Sequence, residues 1–149
     1  MTYKRFLLMI ATSVVVMYMA MYLNNYAWDH IFWSETRAYM ALIMGAIMAT
    51  VMLLFMIDKY PNNKANVMIF VGSAVLFVGS LFLVRSQTTV DDVSWMKAMI
   101  PHHSIAILTS KRANISDPRV RQLADEIIKA QEREIKEMKR YIEDLENKE

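Results

Sequence analysis

VMIFVGSAVLFVGSLFLV, residues Val67 to Val84, decides the architecture. It is a continuous apolar run without one charged residue, long enough to cross a hydrocarbon core as a helix. Arg85 follows it at once, and the composition then changes. From Arg85 to the end the chain carries twelve Lys/Arg and twelve Asp/Glu, whereas charges upstream are few. A membrane part therefore gives way to a soluble part at about residue 85, which divides the chain into residues 1–85 and 86–149.

Two more apolar runs precede this one. Residues 6–26 follow Lys4 and Arg5, and are too long for a signal-peptide core. The Tyr22-Leu23-Asn24-Asn25-Tyr26 end lacks the small residues of a cleavage site, so the run reads as a retained span. A second span is expected over about residues 38–57 and the third over 67–84. Between the first two lies a short polar and aromatic connection, Asp29 to Arg37. Tyr22, Tyr26, Trp28, Trp33 and Tyr39 flank it as an interfacial belt. Pro61 and three asparagines mark the next loop.

Lys4, Arg5, Lys59 and Lys64 lie on one side of the spans, with Arg37 and Arg85 on the other. This bias places the N-terminus in the cytoplasm. Three spans then put everything after Arg85 outside it. The expected location is the cytoplasmic (inner) membrane, with a periplasmic or extracellular C-terminal domain.

In that domain acidic and basic residues are interleaved, which argues against a nucleic-acid partner. Asp91 or Thr89 can cap a helix that runs to about Asn114. Asp117-Pro118 reads as an N-cap followed by proline at the first helical position, opening a second helix to about Leu145. A connection of two to three residues forces an antiparallel hairpin. Residues Glu132 to Glu149 place their charges mostly on the outer face. Apolar residues surround most of the first helix, which points to burial on more than one side. Two hairpins would complete a four-helix bundle. The expected fold is all-α: three transmembrane helices, then a helical hairpin that pairs with a second copy in a homo-oligomer.

Chemistry concentrates in Met96-Lys97-Ala98-Met99-Ile100-Pro101-His102-His103, which holds two of the three histidines. The chain has no cysteine, which excludes disulfides and thiolate metal sites. Its fourteen methionines supply thioethers, which suit Cu(I). At about 100° per residue, Met96, Met99 and His103 share a narrow sector, with His102 to one side. Pro101 falls on roughly the opposite face, where it favours a bend toward the Met/His side. Such a face suits Cu(I) better than Cu(II), which would need added water or carboxylate.

On the second helix Val120, Ala124, Ile127, Met138, Ile142 and Leu145 make an apolar stripe, and Gln131 and Glu134 fall inside it. A buried carboxylate and amide need partners. They can orient a ligating imidazole from behind. The plain alternative is a polar His pair on a core helix, with methionine as packing.

Met99-Ile100-Pro101-His102-His103, Ala106-Ile107, Asp117-Pro118-Arg119-Val120, Leu123-Ala124, Ile127-Ile128, Ala130-Gln131, Glu134-Ile135 and Met138 carry a resemblance in order and spacing. Over about Asp91 to Leu145 the chain resembles the domain-of-unknown-function 305 family. The resemblance implies a ferritin-like helical bundle, copper binding and, in some members, a periplasmic role in copper tolerance. It also implies metal roles for Met96, Met99, His102, His103 and Met138. Thr109 departs from the pattern, because many members carry a methionine there. Met21-Tyr22-Leu23-Asn24 and Ser34 to Met40 resemble the N-terminal region of a membrane-anchored subgroup.

A second methionine set runs through the middle span, where Met40, Met44, Met48, Met52 and Met56 recur every fourth residue. Beside them Ala41, Gly45 and Ala49 form a small-residue stripe suited to close helix approach. Met17, Met21, Met40 and Met44, with His30 above, could hold Cu(I) at the outer surface. The competing reading is gap-filling in a helix seam. The functional expectation is a membrane-anchored copper-binding protein that sequesters or hands over metal, and not an enzyme. No catalytic residues are assigned. The alternative is a structural or signalling membrane protein whose hairpin only mediates oligomerisation. A dinuclear ferritin-like oxidoreductase is disfavoured, because no Glu-x-x-His occurs.

Overall fold

No strand forms among the residues that the computed structural model describes, 2–147. Five α-helices follow one another: α1 (Tyr3–Ala20), α2 (Glu35–Phe55), α3 (Asn63–Ser86), α4 (Asp92–Arg112) and α5 (Pro118–Glu146). Short 3-10 turns lie at Trp28–His30 and Ile57–Lys59. The all-α expectation holds, and α1, α2 and α3 are each long and apolar enough to cross a membrane. The chain divides into two compact units, residues 1–21 with 36–89, and residues 22–35 with 90–149. The aromatic connection between the first two spans thus belongs with the hairpin.

In the first unit the helix limits differ from the apolar runs. α1 stops at Ala20, six residues short of the expected Tyr26. A helix end leaves carbonyls in need of donors. Arg37 meets that need, because its Nη1 donates to Met21 O at 2.6 Å. Arg37 is buried in the first turn of α2 and is not a loop residue. Its positive charge beside the C-terminus of α1 also complements the helix dipole. At the other end Tyr3 OH donates to Asn66 Oδ1 at 2.8 Å, and Asn66 Nδ2 donates to Tyr60 O at 2.8 Å. Phe6, Ala49, Leu53 and Tyr60 form the apolar cluster there.

The small-residue stripe of α2 is its buried face: Ala41, Gly45, Ala46 and Ala49 are all covered. The methionine ladder lies beside that face, with Met40 exposed and Met44, Met48, Met52 and Met56 half-buried. A Cβ on Gly45 would collide with Val14 Cγ2. A β-branched side chain in a helix has essentially one rotamer, so Val14 cannot step aside. Gly45→Ala should therefore destabilise the unit by about 1–3 kcal/mol, although alanine is the better helix former. Gly72→Ala and Gly79→Ala should not, since nothing lies within 4 Å of a Cβ at either position. Thermal unfolding of the three variants in one detergent would check this; equal melting temperatures would remove the close-approach argument.

The second unit is an antiparallel hairpin of α4 and α5 with residues 22–35 packed on it. Asp91 caps α4 by accepting from Ser94 N–H at 2.7 Å. Asp117 caps α5 by accepting from Arg119 N–H at 2.8 Å, with Pro118 at the first position. The connection spans residues 113–117, longer than the two or three residues expected, and the helices still return antiparallel. Met96, Ile100, Ile107, Ile135, Met138 and Ile142 form the core, with Phe32, Val93 and Met99 packed against it.

One expectation about faces is sharpened and one needs correction. Pro101, expected opposite the Met/His side, is fully buried, and α4 runs through it unbroken. At 100° per residue it lies round from Ile100 on the same side as Ser104, which is also fully buried. On α5 the buried line is Ala124, Ile135, Met138 and Ile142. Val120, Ile127 and Leu145 are exposed. The burial of α4 on a second side thus has a partner in this same chain, the loop 22–35. The charged run on α5 is exposed at most positions up to Asn147; Lys148 and Glu149 lie outside the described residues.

Candidate metal centre

His103 is held at both ring nitrogens. Nδ1 lies 2.9 Å from Met99 O, one helical turn back, and Nε2 lies 2.8 Å from Glu134 Oε2 on α5. Both partners are acceptors, so both contacts are hydrogen bonds only when the ring carries two protons. When the ring is neutral, the Nδ1–H bond to a backbone carbonyl leaves the Nε2 lone pair free. This is how ligating histidines are oriented in metal sites. The imidazole is nearly buried at 12% exposure, while the Glu134 side chain is 41% exposed. An ion arriving at Nε2 would find the carboxylate of Glu134 already beside it.

The thioethers divide by depth. Met96 and Met138 are buried in the hairpin core, and Met99 packs against that core half-buried. Met138 follows Glu134 by one turn of α5, as Met99 precedes His103 by one turn of α4. Met96 also lines an open groove of about 470 Å³ with Asp92, Trp95, Tyr141, Asp144 and Leu145, which gives its face of the core access to solvent. His102 is exposed, its ring centroid 6.2 Å from that of His103. Gln131 is half-buried and lies outside the His103–Glu134 contact. Among the described residues no three His, Cys, Asp or Glu side chains converge as a metal-holding group. A metal at His103 would need donors beyond the imidazole and the Glu134 carboxylate. Imidazole nitrogen and carboxylate oxygen joined by thioether sulfur would suit a soft or borderline ion.

Met17, Met21, Met40 and Met44 belong to the first unit and His30 to the second. His30 has another task. Its Nδ1 lies 2.9 Å from Ser104 Oγ, and the same oxygen accepts from Tyr26 N–H at 2.7 Å. Lys139 Nζ donates to Asp29 Oδ2 at 2.6 Å, and Lys111 Nζ donates to Tyr26 OH at 3.1 Å. Together these fasten the loop to both helices. Ser104 Oγ is closed to any substrate by its burial. Sequence reasoning missed Ser104, because its partners stand 74 and 78 residues away. The only local signal is a lone hydroxyl between Ile100 and Ile107 on a core helix.

Burial holds His30 below the usual imidazole value; the Lys139 ammonium on α5 acts in the same direction and Asp29 opposes both. A base with a depressed folded value is favoured in its neutral form. The fastening is then complete above the unfolded value of about 6.5 and is lost as pH falls through the lower folded value. Hydrogen-exchange protection of the amides from Asn25 to Ile31 should drop on acidification in wild type, and this drop should vanish in His30→Gln. The same slope in both proteins would assign the effect to another group.

Residues 83–149 match the family described as "Domain of unknown function (DUF305)". Uncharacterized protein L153 of Acanthamoeba polyphaga mimivirus is 34% identical over 114 residues, covering 74% of this chain and 73% of that protein. That alignment is longer than the family segment, so the likeness extends upstream of residue 83. No solved structure matches the chain. A helical hairpin opened by the His-His helix, joined to helices apolar enough to span a membrane and matched in these two ways, places this chain in the DUF305 family.

Proposed function

We propose that this protein is a membrane-anchored copper-binding protein whose hairpin lies outside the cytoplasm and sequesters or hands over the ion. In this reading His103 Nε2 and the thioethers of Met96, Met99 and Met138 hold the metal, Cu(I) ahead of Cu(II). Glu134 steers the ring or joins as an oxygen ligand. His102 serves a second ion or a second copy, and Gln131 stands behind the site. The protein binds and does not transform, and it works as a homo-oligomer in the cytoplasmic (inner) membrane, with its N-terminus inside. The observation that carries the reading is the doubly anchored His103, its Nδ1 tied to Met99 O and its Nε2 turned toward α5.

The full chain in detergent should compete with a Cu(I) chelator, and a reporter fused after Asn147 should be active only outside the cytoplasm. A chain that leaves all copper on the chelator would remove the metal reading; a reporter active in the cytoplasm would invert the orientation. One observation favours the reading without metal. Val120, Leu123 and Ile127 form an exposed apolar stripe on α5, as a hairpin built only to oligomerise would show.

A further inference from the structure

The loop that completes the hairpin unit exposes a dense set of large apolar side chains. Leu23 is 81% exposed, Trp28 87%, Trp33 64% and Ile31 41%. Scattered exposed apolar residues are ordinary on a protein surface, but a cluster within one short loop marks an interaction site. The loop is not a slack connection. Tyr26 and His30 are bonded to Ser104, Asp29 to Lys139, and Phe32 packs against the hairpin core. Its polar contacts point into the unit and its large rings point out.

Two facts identify what the patch meets. From Tyr22 to Ser34 Asp29 is the one Asp, Glu, Lys or Arg and is paired with Lys139, and His30 is half-buried against Ser104, so the exposed face carries no free charge. Both ends of the loop run into helices apolar enough to span a bilayer, α1 ending at Ala20 and α2 starting at Glu35. No loop residue is more than seven positions from one of these ends, a reach of at most about 25 Å. A mixture of tryptophan, tyrosine, asparagine and leucine at that distance matches the headgroup boundary, where amphipathic rings concentrate.

We propose that residues 22–34 are a bilayer-docking foot of the hairpin unit. Leu23, Trp28, Ile31 and Trp33 enter the headgroup boundary of the leaflet from which α1 emerges, and so seat the α4–α5 hairpin on the membrane surface. The Ser104 and Lys139 contacts carry the load from foot to helices. This does not depend on metal binding.

The test uses the full chain with Trp33→Phe and Trp95→Phe, which leaves Trp28 as the only tryptophan, reconstituted at one copy per nanodisc. Lipids brominated near the top of the acyl chain should quench Trp28 at least about twofold relative to unbrominated lipid, and aqueous iodide should quench it little. Strong iodide quenching with no effect of bromine would leave the foot in water and overturn the proposal. Protection that arises only with two copies per disc would assign the patch to a second chain, which also overturns it. Because the chain lacks cysteine, a nitroxide on Lys136→Cys reports hairpin motion cleanly. Trp28→Ser with Trp33→Ser should increase that motion with helix content unchanged. Unaltered motion would refute the seating.

Discussion

His103→Ala in the full chain should weaken Cu(I) retention by at least about 100-fold, whereas His102→Ala should cost about tenfold or less. Loss of a partner that merely orients a ligand costs about 10–100-fold, so loss of the ligand itself belongs at or beyond the top of that range. The asymmetry follows from geometry. The His103 ring is nearly buried, fixed through Nδ1 and aimed at Glu134, one turn of α5 before the buried Met138. His102 is exposed. Retention by wild type and by both variants, measured against one chelator, decides the matter, and equal losses would sink the assignment of His103 as the main nitrogen donor.

Glu134→Gln should fall between the two variants, because it keeps the shape and removes the charge. Protons and the ion compete for the same ring nitrogen, so retention by wild type should weaken as pH falls. The full chain is the right material: a fragment starting at Arg85 would lack Phe32, Tyr26 and His30, which belong to the same compact unit.

Helix count, helix order and both hairpin caps are readable from local patterns, because a span needs only length and apolarity and a cap needs only its own residue and the next turn. Asp91, Asp117 and Pro118 act where the sequence puts them. The end of α1 is not readable, since the apolar run continues through Tyr26 and the donor that satisfies the carbonyl at the helix end comes from Arg37, a residue in the next element. The place of the loop 22–35 is unreadable for the same reason. Its hold on α4 and α5 rests on a serine, a histidine and an ion pair, each with a partner more than seventy residues away. Within the site, the sector shared by Met96 and His103 follows from helical periodicity, and so does the value of a carboxylate at Glu134. The fully buried state of Pro101 does not, because it depends on what covers α4.

Ile100→Ala should destabilise the hairpin unit by about 2–5 kcal/mol, the usual cost of emptying a fully buried aliphatic site. Ile100 has no exposed surface and sits at the centre of the cluster with Ile107, Ile135, Met138 and Ile142. At about 0.05–0.15 kcal/mol per residue a unit of this size holds only several kcal/mol, so this one change removes much of its margin. Hydrogen-exchange protection in α4 and α5 should fall together, because both helices line the cavity. The rotation of α5 can be read from the same measurement. The buried line through Ile135 makes Ile135→Ala costly and leaves Ile127→Ala within about 0.5 kcal/mol of wild type, as for any exposed position. The apolar stripe that includes Ile127 demands the reverse. The two residues stand about 80° apart around the helix, so the ranking of two alanine variants fixes which face of α5 meets His103.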